Sequence, residues 1–232
     1  MIFASWFTYD ASGKAWWAVM TAPNKGGDRF SGTLFEMSGP AFDALTFDPG
    51  QVVGRAVGSG TLSFIDTNSG SFSYTVNGVS QVKNITREIF GPLATCASNV
   101  QGNIGASNYQ DMWWKSPAGS EAGWGINLTH QGERIFATWF TYDHDRTPIW
   151  LQVTADKTAP LVYSGKLYRS SGPPFSAVAF ESSKVILTEV ETATLSFRDG
   201  NNATFTSTID GASRSKALTR QIFRPPGTVC GS

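Results

Sequence analysis

Apolar and hydroxyl-bearing side chains alternate, with a period of two residues, in the later part of each half of the chain. The pattern runs through residues 61–64 and 72–76 in the first half and through 194–197 and 205–209 in the second. Alternation of this kind is typical of antiparallel strands that bury one face and wet the other. No segment has a helical period, so the pattern predicts an all-β protein.

Tight turns are predicted between the last two strands of each half. Asn77-Gly78 and Asp210-Gly211 are pairs preferred in two-residue type I′ turns, because both central residues of such a turn need positive φ. Each half is therefore predicted to be a meander of short strands. Further strands, each with a counterpart 133 residues earlier, are predicted near residues 134–142, 147–154, 160–169 and 184–190.

The chain contains one sequence unit twice, at an offset of 133 residues. Residues 2–10 (IFASWFTYD) return as 135–143 (IFATWFTYD), and the register continues without a gap as far as Arg87 and Arg220. Self-similarity at a fixed offset indicates a tandem repeat. The predicted organisation is repeat 1 over residues 1–98, a linker over 99–112 and repeat 2 over 113–232.

The predicted fold class is two tandem antiparallel up-and-down β-barrels of the calycin type, the first lacking its first strand. The segment from Trp113 to Gly125 precedes the second copy, and the first copy has no counterpart of it. With that segment repeat 2 has about eight short strands, which close most simply into a barrel that removes the exposed sheet edges. Two β-sandwiches are the alternative.

The incomplete first repeat has three explanations. The unit stays open, another chain supplies the strand (which allows a homo-oligomer through this edge), or Met1 is not the natural start. We favour the last, because a truncated or mis-assigned N-terminus would also account for the missing signal peptide.

The predicted hairpins place two cations of each repeat on the apolar face of the last strand. Residues that flank a two-residue turn are directly opposed and share a face, so Lys83 lies opposite Phe72. Arg87 points the same way, as do Lys216 and Arg220 in repeat 2. A buried cation needs a carboxylate, carbonyls or an aromatic face. The two hypotheses are an end-cap that stacks on aromatic rings and a pair of anchors for an acidic ligand inside the barrel.

Three tryptophans are candidate ligand-binding residues. Positions 16, 18 and 20 stay apolar in both copies and are expected to face the core, so Trp17 and Trp150 lie on the opposite face. Rings on such a face suit stacking on sugars or flat apolar surfaces, and burial between the two repeats is the alternative. Of the adjacent Trp113 and Trp114, one should face outward. The predicted ligand-binding set is Trp17, Trp150, Trp114, Lys216 and Arg220.

Two motifs resemble known proteins. Gly123-Trp124-Gly125 on the first strand and Arg220 on the last resemble the Trp–Arg pair that closes one end of calycin-type barrels such as lipocalins, fatty-acid-binding proteins and avidins. The resemblance implies structural roles for Trp124 and for Arg87, the residue of repeat 1 that matches Arg220, although repeat 1 has no matching tryptophan. Lys83 is predicted to be structural as well.

The longer pattern GWGxNLTxQG (123–132) followed by IFATWFTYD (135–143) resembles an uncharacterised tandem repeat of bacterial exported proteins. That resemblance implies an extracytoplasmic location, periplasmic or secreted, although no signal peptide is visible in this chain. Cys96 and Cys230 each follow the last strand of a repeat, and the sequence is equally consistent with a bridge between them and with two free thiols.

Composition and charge exclude several function classes. The chain has 18 basic and 18 acidic residues, and charged residues make up 16% of it. Nucleic acid and anionic membrane surfaces are therefore poor partners. No stretch has the apolar length of a membrane-spanning helix, so we expect no membrane insertion. Aromatic residues are plentiful at 13%, which suits an all-β protein.

No catalytic signature occurs in the sequence. It has no G-x-S-x-G elbow, P-loop, G-x-G-x-x-G or Cys/His ligand cluster. His144 with Asp143 and Asp145 has the residue types of a metal site, but the twin turn lacks the histidine, and a solvated turn is the favoured interpretation. An acid–base hydrolase that uses Asp143 or Glu121 ranks below both binding and structural roles.

We therefore predict a non-catalytic binding module that needs no cofactor or metal and engages carbohydrate or a small apolar ligand through aromatic residues. The alternatives are a structural or adhesive repeat and a barrel that carries a small ligand.

Overall fold

A computed structural model describes residues 1–98, 107–223 and 228–231. Within these residues the chain forms sixteen β-strands and two single-turn 3-10 helices, Pro49–Gln51 and Ser182–Lys184. The predicted all-β fold is confirmed, with one closed eight-stranded antiparallel barrel and one curled six-stranded sheet.

Repeat 1 forms the six-stranded sheet, in sequential antiparallel order. Its strands are β1 (Ile2–Tyr9), β2 (Ala15–Ala22), β3 (Arg29–Ser38), β4 (Val53–Phe64), β5 (Ser69–Val76) and β6 (Val79–Thr86). The short strand β7 (Thr95–Ser98) follows outside this sheet. We call β1–β6 the open sheet.

Repeat 2 forms the closed barrel. Its strands are β8 (Asp111–Lys115), β9 (Gly125–Gln131), β10 (Arg134–Tyr142), β11 (Pro148–Ala159), β12 (Val162–Ser171), β13 (Ile186–Asp199), β14 (Asn202–Ile209) and β15 (Ala212–Arg220). The barrel closes where β15 pairs with β8, with Arg220 opposite Trp113. The last described strand, β16 (Thr228–Gly231), pairs with β7.

Within the described residues, repeat 1 has counterparts of six of the eight barrel strands, so it lacks two strands where the sequence predicted that it lacks one. The segment that contains Trp124 leads into β9, which is the second strand of the barrel. The first strand, β8, is only five residues long and lies before a loop that begins at Ser116. Repeat 1 therefore stays an open half-barrel.

The predicted turns and registers of the last hairpins are confirmed. Asn77 and Asp210 have φ of 48° and 53°, and the glycine that follows each also has positive φ. Phe72 pairs with Lys83, and the twin pair, Phe205 with Lys216, occupies the same register in repeat 2. Both lysines consequently project from the apolar face of the last strand.

Apolar side chains fill the interior of the barrel. Eight-stranded barrels of this size are just wide enough for their own side chains, so a filled interior is the expected result. Buried inward residues are contributed by all eight strands, among them Trp113, Ile126, Leu128, Trp139, Leu151, Leu167, Leu195, Phe205 and Leu218.

The tails of the two repeats are joined covalently. Cys96 on β7 and Cys230 on β16 form a disulfide across the paired strands. Of the two alternatives, a bridge or two free thiols, the structure has the bridge. Residues 99–106 of the predicted linker lie outside the described residues. Tyr109 and Met112, at the end of that segment, already pack in the core of the barrel.

Candidate functional site

Two tryptophans make the same contact in opposite directions between the repeats. The Trp17 Nε1–H donates to the Thr141 carbonyl oxygen at 2.9 Å, and the Trp150 Nε1–H donates to the Thr8 carbonyl oxygen at 2.9 Å. Trp17 and Trp150 are twins at the 133-residue offset, and so are Thr8 and Thr141. The outer faces of β1–β2 and β10–β11 therefore pack with pseudo-twofold symmetry.

A second reciprocal contact places a tyrosine ring against a glycine of the other repeat. A Cβ atom on Gly39 would lie 2.5 Å from Tyr142 Cε2, and one on Gly172 would lie 2.6 Å from Tyr9 Cε2. Real Cβ atoms do not come this close to a ring, so both positions require glycine. The close approach explains why glycine occupies both twin positions.

Each repeat also caps the other with one loop, the loop between β3 and β4 in repeat 1 and its twin between β12 and β13 in repeat 2. These capping loops span residues 39–52 and 172–185. The Phe42 and Phe175 N–H groups donate to the carbonyls of Tyr142 and Tyr9, respectively, both at 2.9 Å. Phe175 stacks on Trp16 with ring centroids 5.5 Å apart. The capping loops thus cover one end of the repeat to which they do not belong.

The prediction that Trp17 and Trp150 form an exposed binding platform is wrong. Only 1% of Trp17 and 8% of Trp150 is exposed. Both rings do lie on the strand face away from the repeat's own core, as predicted, but the other repeat covers that face. Burial between the repeats, the alternative hypothesis, is what the structure has.

The adjacent Trp113 and Trp114 face opposite sides of β8. Trp113 is fully buried inside the barrel, and Trp114 is half-buried on its outer face. The Trp114 Nε1–H has no hydrogen-bond partner among the described residues. The role of Trp114 in ligand binding stays a prediction.

Lys216 finds a carboxylate and an aromatic ring at one end of the barrel. Its Nζ donates to Glu121 Oε2 at 2.5 Å and lies 5.4 Å from the ring centroid of Trp124. The same Glu121 oxygen accepts a hydrogen bond from Trp124 Nε1 at 2.9 Å. The positive charge predicted as an anchor for an acidic ligand is therefore already paired within the chain.

Arg220 closes the other end of the barrel. Its guanidinium lies 5.1 Å from the ring centroid of Trp113 and donates to the backbone carbonyls of Gly200, Gln110 and Asn108 at 2.7–3.2 Å. Burial lowers the pKa of Arg220, while the Asp111 carboxylate 3.3 Å away opposes that shift. The prediction that Trp124 is the partner of Arg220 is wrong. Trp124 lies just before the second strand, at the opposite end of the barrel, and Trp113 on β8 packs against Arg220 instead.

The two cations of repeat 1 have different surroundings from their twins. Lys83 Nζ donates to the Ala177 and Val178 carbonyls of a capping loop at 3.3 and 3.4 Å. The Arg87 side chain is exposed. Lys83 faces the core side as predicted, but no strand among the described residues supplies the open sheet with counterparts of Glu121 and Asp111.

The inward face of the open sheet is less buried than the same face of the barrel. Phe64 is 37% exposed, whereas its twin Phe197 is 5% exposed. Trp6 is half-buried, while its twin Trp139 is 6% exposed and packs against Trp124. The difference follows from the two strands that repeat 1 lacks. The sequence signal for this difference is the segment from Trp113 to Gly125, which has no counterpart before the first copy.

His130 is a buried residue whose role the sequence analysis missed. Its Nδ1 accepts a hydrogen bond from the Tyr109 N–H, and its Nε2 donates to the Gly132 carbonyl, both at 3.0 Å. Burial lowers the pKa of His130 to about 4. The other histidine, His144, is exposed and lies 3.5 Å from Asp43 of a capping loop. The described residues contain no group of three or more His, Cys, Asp or Glu side chains able to hold a metal ion.

Comparisons with protein-family models, with curated proteins and with solved structures each found no match to this chain. Among the described residues, no helix has the length and apolar character needed to cross a membrane.

Proposed function

We propose that this chain is a non-catalytic structural module of an extracytoplasmic protein, in which the two repeats act as one rigid body. The reciprocal hydrogen bonds from Trp17 to Thr141 and from Trp150 to Thr8 carry the proposal. The aromatic residues best suited to ligand contact hold the repeats together instead. Aromatic residues with fixed hydrogen bonds are effective anchors of such contacts.

The barrel interior supports a structural role over carriage of a small ligand. Bulky inward side chains are buried, and Lys216 is paired with Glu121. An acidic ligand would have to displace both the packing and the carboxylate, each of which costs free energy. The proposal therefore assigns Lys216 and Arg220 to barrel closure.

The disulfide supports an extracytoplasmic location. Cys96 and Cys230 are the two cysteines of the chain, and they are bonded to each other. Structural disulfides form and persist in oxidising compartments and are rare in the cytosol. This agrees with the location implied by the resemblance to repeats of exported proteins.

Calorimetry and tryptophan fluorescence test the proposal. One rigid body should unfold in a single transition whose calorimetric and van't Hoff enthalpies agree. The emission of the buried tryptophans should not change when soluble carbohydrates or apolar ligands are added. Two resolved unfolding transitions would contradict the proposal, as would a saturable fluorescence response that disappears in Trp17→Phe or Trp150→Phe. Trp114→Phe serves as the matched control for loss of one indole.

A further inference from the structure

Three side chains of the open sheet fasten the capping loop that repeat 2 places over it. The Tyr74 hydroxyl donates to the Phe175 carbonyl at 2.7 Å. Gln81 Nε2 donates to the Ala177 carbonyl at 3.1 Å, and Lys83 Nζ donates to the same carbonyl at 3.3 Å. Only 4% of Tyr74 is exposed, and its ring packs against that of Phe175. The phenol ring of Tyr74 therefore fills the space between this capping loop and the sheet.

The corresponding side chains of repeat 2 make none of these contacts. They are Ser207, Arg214 and Lys216. Serine brings no ring to this position, and Lys216 is paired with Glu121 instead. The Arg214 side chain has no salt bridge or hydrogen bond in the part of the chain that the structure describes. The Phe42 carbonyl, twin of the one that accepts from Tyr74, receives no hydrogen bond from those residues either.

A cavity of about 130 Å³ lies between the last hairpin of the barrel and the capping loop of repeat 1. Ser207 and Arg214 line it from the hairpin, where they are directly paired as Tyr74 and Gln81 are in repeat 1. Ile209 and the ring of Phe42 supply apolar walls. A cavity of about 150 Å³ is enough to bind benzene, so this one has room for a single aromatic ring.

The polar groups around the cavity suit a neutral hydroxyl. The Phe42 carbonyl can accept a hydrogen bond, as its twin does from Tyr74. The guanidinium of Arg214 can only donate, and a phenol oxygen is able to donate and accept at once. Asp43 and Asp210 line the same cavity, so a carboxylate on the ligand would meet two like charges.

We infer that this cavity binds a small single-ring phenol, which takes the place in repeat 2 that the Tyr74 side chain takes in repeat 1. The ring packs against Phe42 and Ile209. The hydroxyl donates to the Phe42 carbonyl and accepts from Arg214. The site lies outside the packed barrel interior and leaves the contacts between the repeats unchanged, so it adds a binding activity to the proposed structural role.

Titration of p-cresol, which is the tyrosine side chain as a free molecule, into the whole protein tests the inference by calorimetry. We expect one p-cresol to bind per chain, with a Kd of about 1 mM or lower. Toluene lacks the hydroxyl and should bind about tenfold more weakly. Absence of p-cresol binding at about 10 mM, or equal affinity for toluene, would overturn the inference.

Ser207→Tyr should fill the cavity from within the chain. It gives repeat 2 the residue that repeat 1 has, so p-cresol binding should disappear while the protein still unfolds cooperatively. Thr208→Tyr is the matched control, because side chains of neighbouring residues on a strand face opposite sides, and this variant should bind p-cresol like the wild type. Unchanged binding in Ser207→Tyr, or equal loss in both variants, would refute the assignment.

Arg214→Ala tests the same site if Ser207→Tyr does not fold. The Arg214 side chain is exposed, so its removal should leave the fold intact. Loss of the donor should weaken p-cresol binding by about tenfold and leave toluene binding unchanged. Arg198→Ala, at another exposed arginine, is the control and should bind p-cresol normally. An unchanged affinity of Arg214→Ala for p-cresol would contradict the inference.

Discussion

The indole N–H of Trp17 is hydrogen-bonded to the carbonyl of Thr141, and a sequence separation of 124 places the two partners in different repeats. The same hydrogen bond occurs a second time in the molecule, from Trp150 to the carbonyl of Thr8. Two surfaces related by a twofold axis must each be complementary to themselves, which explains why both copies keep the tryptophan.

Trp17→Phe and Trp150→Phe should destabilise the protein by similar amounts. Each leaves a buried carbonyl without its donor and removes part of a buried ring, and we expect a loss of about 2–4 kcal/mol. Unfolding in urea measures the change. Trp114→Phe is the control, because its N–H has no partner to lose among the described residues, and its effect should be well below that of the other two. Equal losses in all three variants would contradict the assignment.

Gly39→Ala and Gly172→Ala should both destabilise the interface between the repeats. A Cβ atom at either position meets a tyrosine ring at 2.5–2.6 Å, and relief of the overlap needs the ring to shift. Overpacking of this kind costs about 1–3 kcal/mol. Thermal unfolding of both variants measures it. A normal melting temperature for one twin together with a large loss for the other would show that the two contacts are not equivalent.

Reduction of the Cys96–Cys230 bridge should lower the stability of the whole chain. The bridge spans 134 residues of sequence, and the chain-entropy model gives an upper value of about 5 kcal/mol for a loop of that size. Urea unfolding with and without a reductant measures the difference. A double variant, Cys96→Ser with Cys230→Ser, should match the reduced wild type and should not respond to reductant. A reductant effect that persists in the double variant would have another cause.

His130 should make the protein less stable in mild acid. Its pKa is about 4 in the folded state, well below the ordinary value of about 6.5, so below pH 6.5 the unfolded chain binds a proton that the folded chain does not. The resulting loss grows as the pH falls from about 6.5 to 4 and reaches roughly 3 kcal/mol.

Urea unfolding at a series of pH values measures this loss, and His130→Gln should flatten the slope in that window. His144→Gln is the matched control, because it removes the imidazole of an exposed side chain and leaves the buried His130 in place. An unchanged slope in His130→Gln would show that other groups control acid sensitivity.

Local patterns were enough to predict the strands, the type I′ turns and the inward direction of Lys83 and Lys216. Each depends on residues adjacent in sequence or paired across one hairpin. The burial of Trp17 could not be predicted in the same way, because it depends on how two surfaces that are distant in sequence pack against each other. The partner of Arg220 was misassigned for a related reason: the five-residue β8 has too little pattern of its own, and barrel closure alone places Trp113 beside the guanidinium.

The capping loops determine whether the two repeats can be separated. Residues 39–52 belong to the first repeat by sequence but contact the second repeat. Residues 172–185 belong to the second repeat and contact the first. Separating the two repeats would therefore remove from each repeat the capping loop that covers one of its ends. We therefore expect that neither half is stable alone and that the two repeats together are the smallest unit that folds.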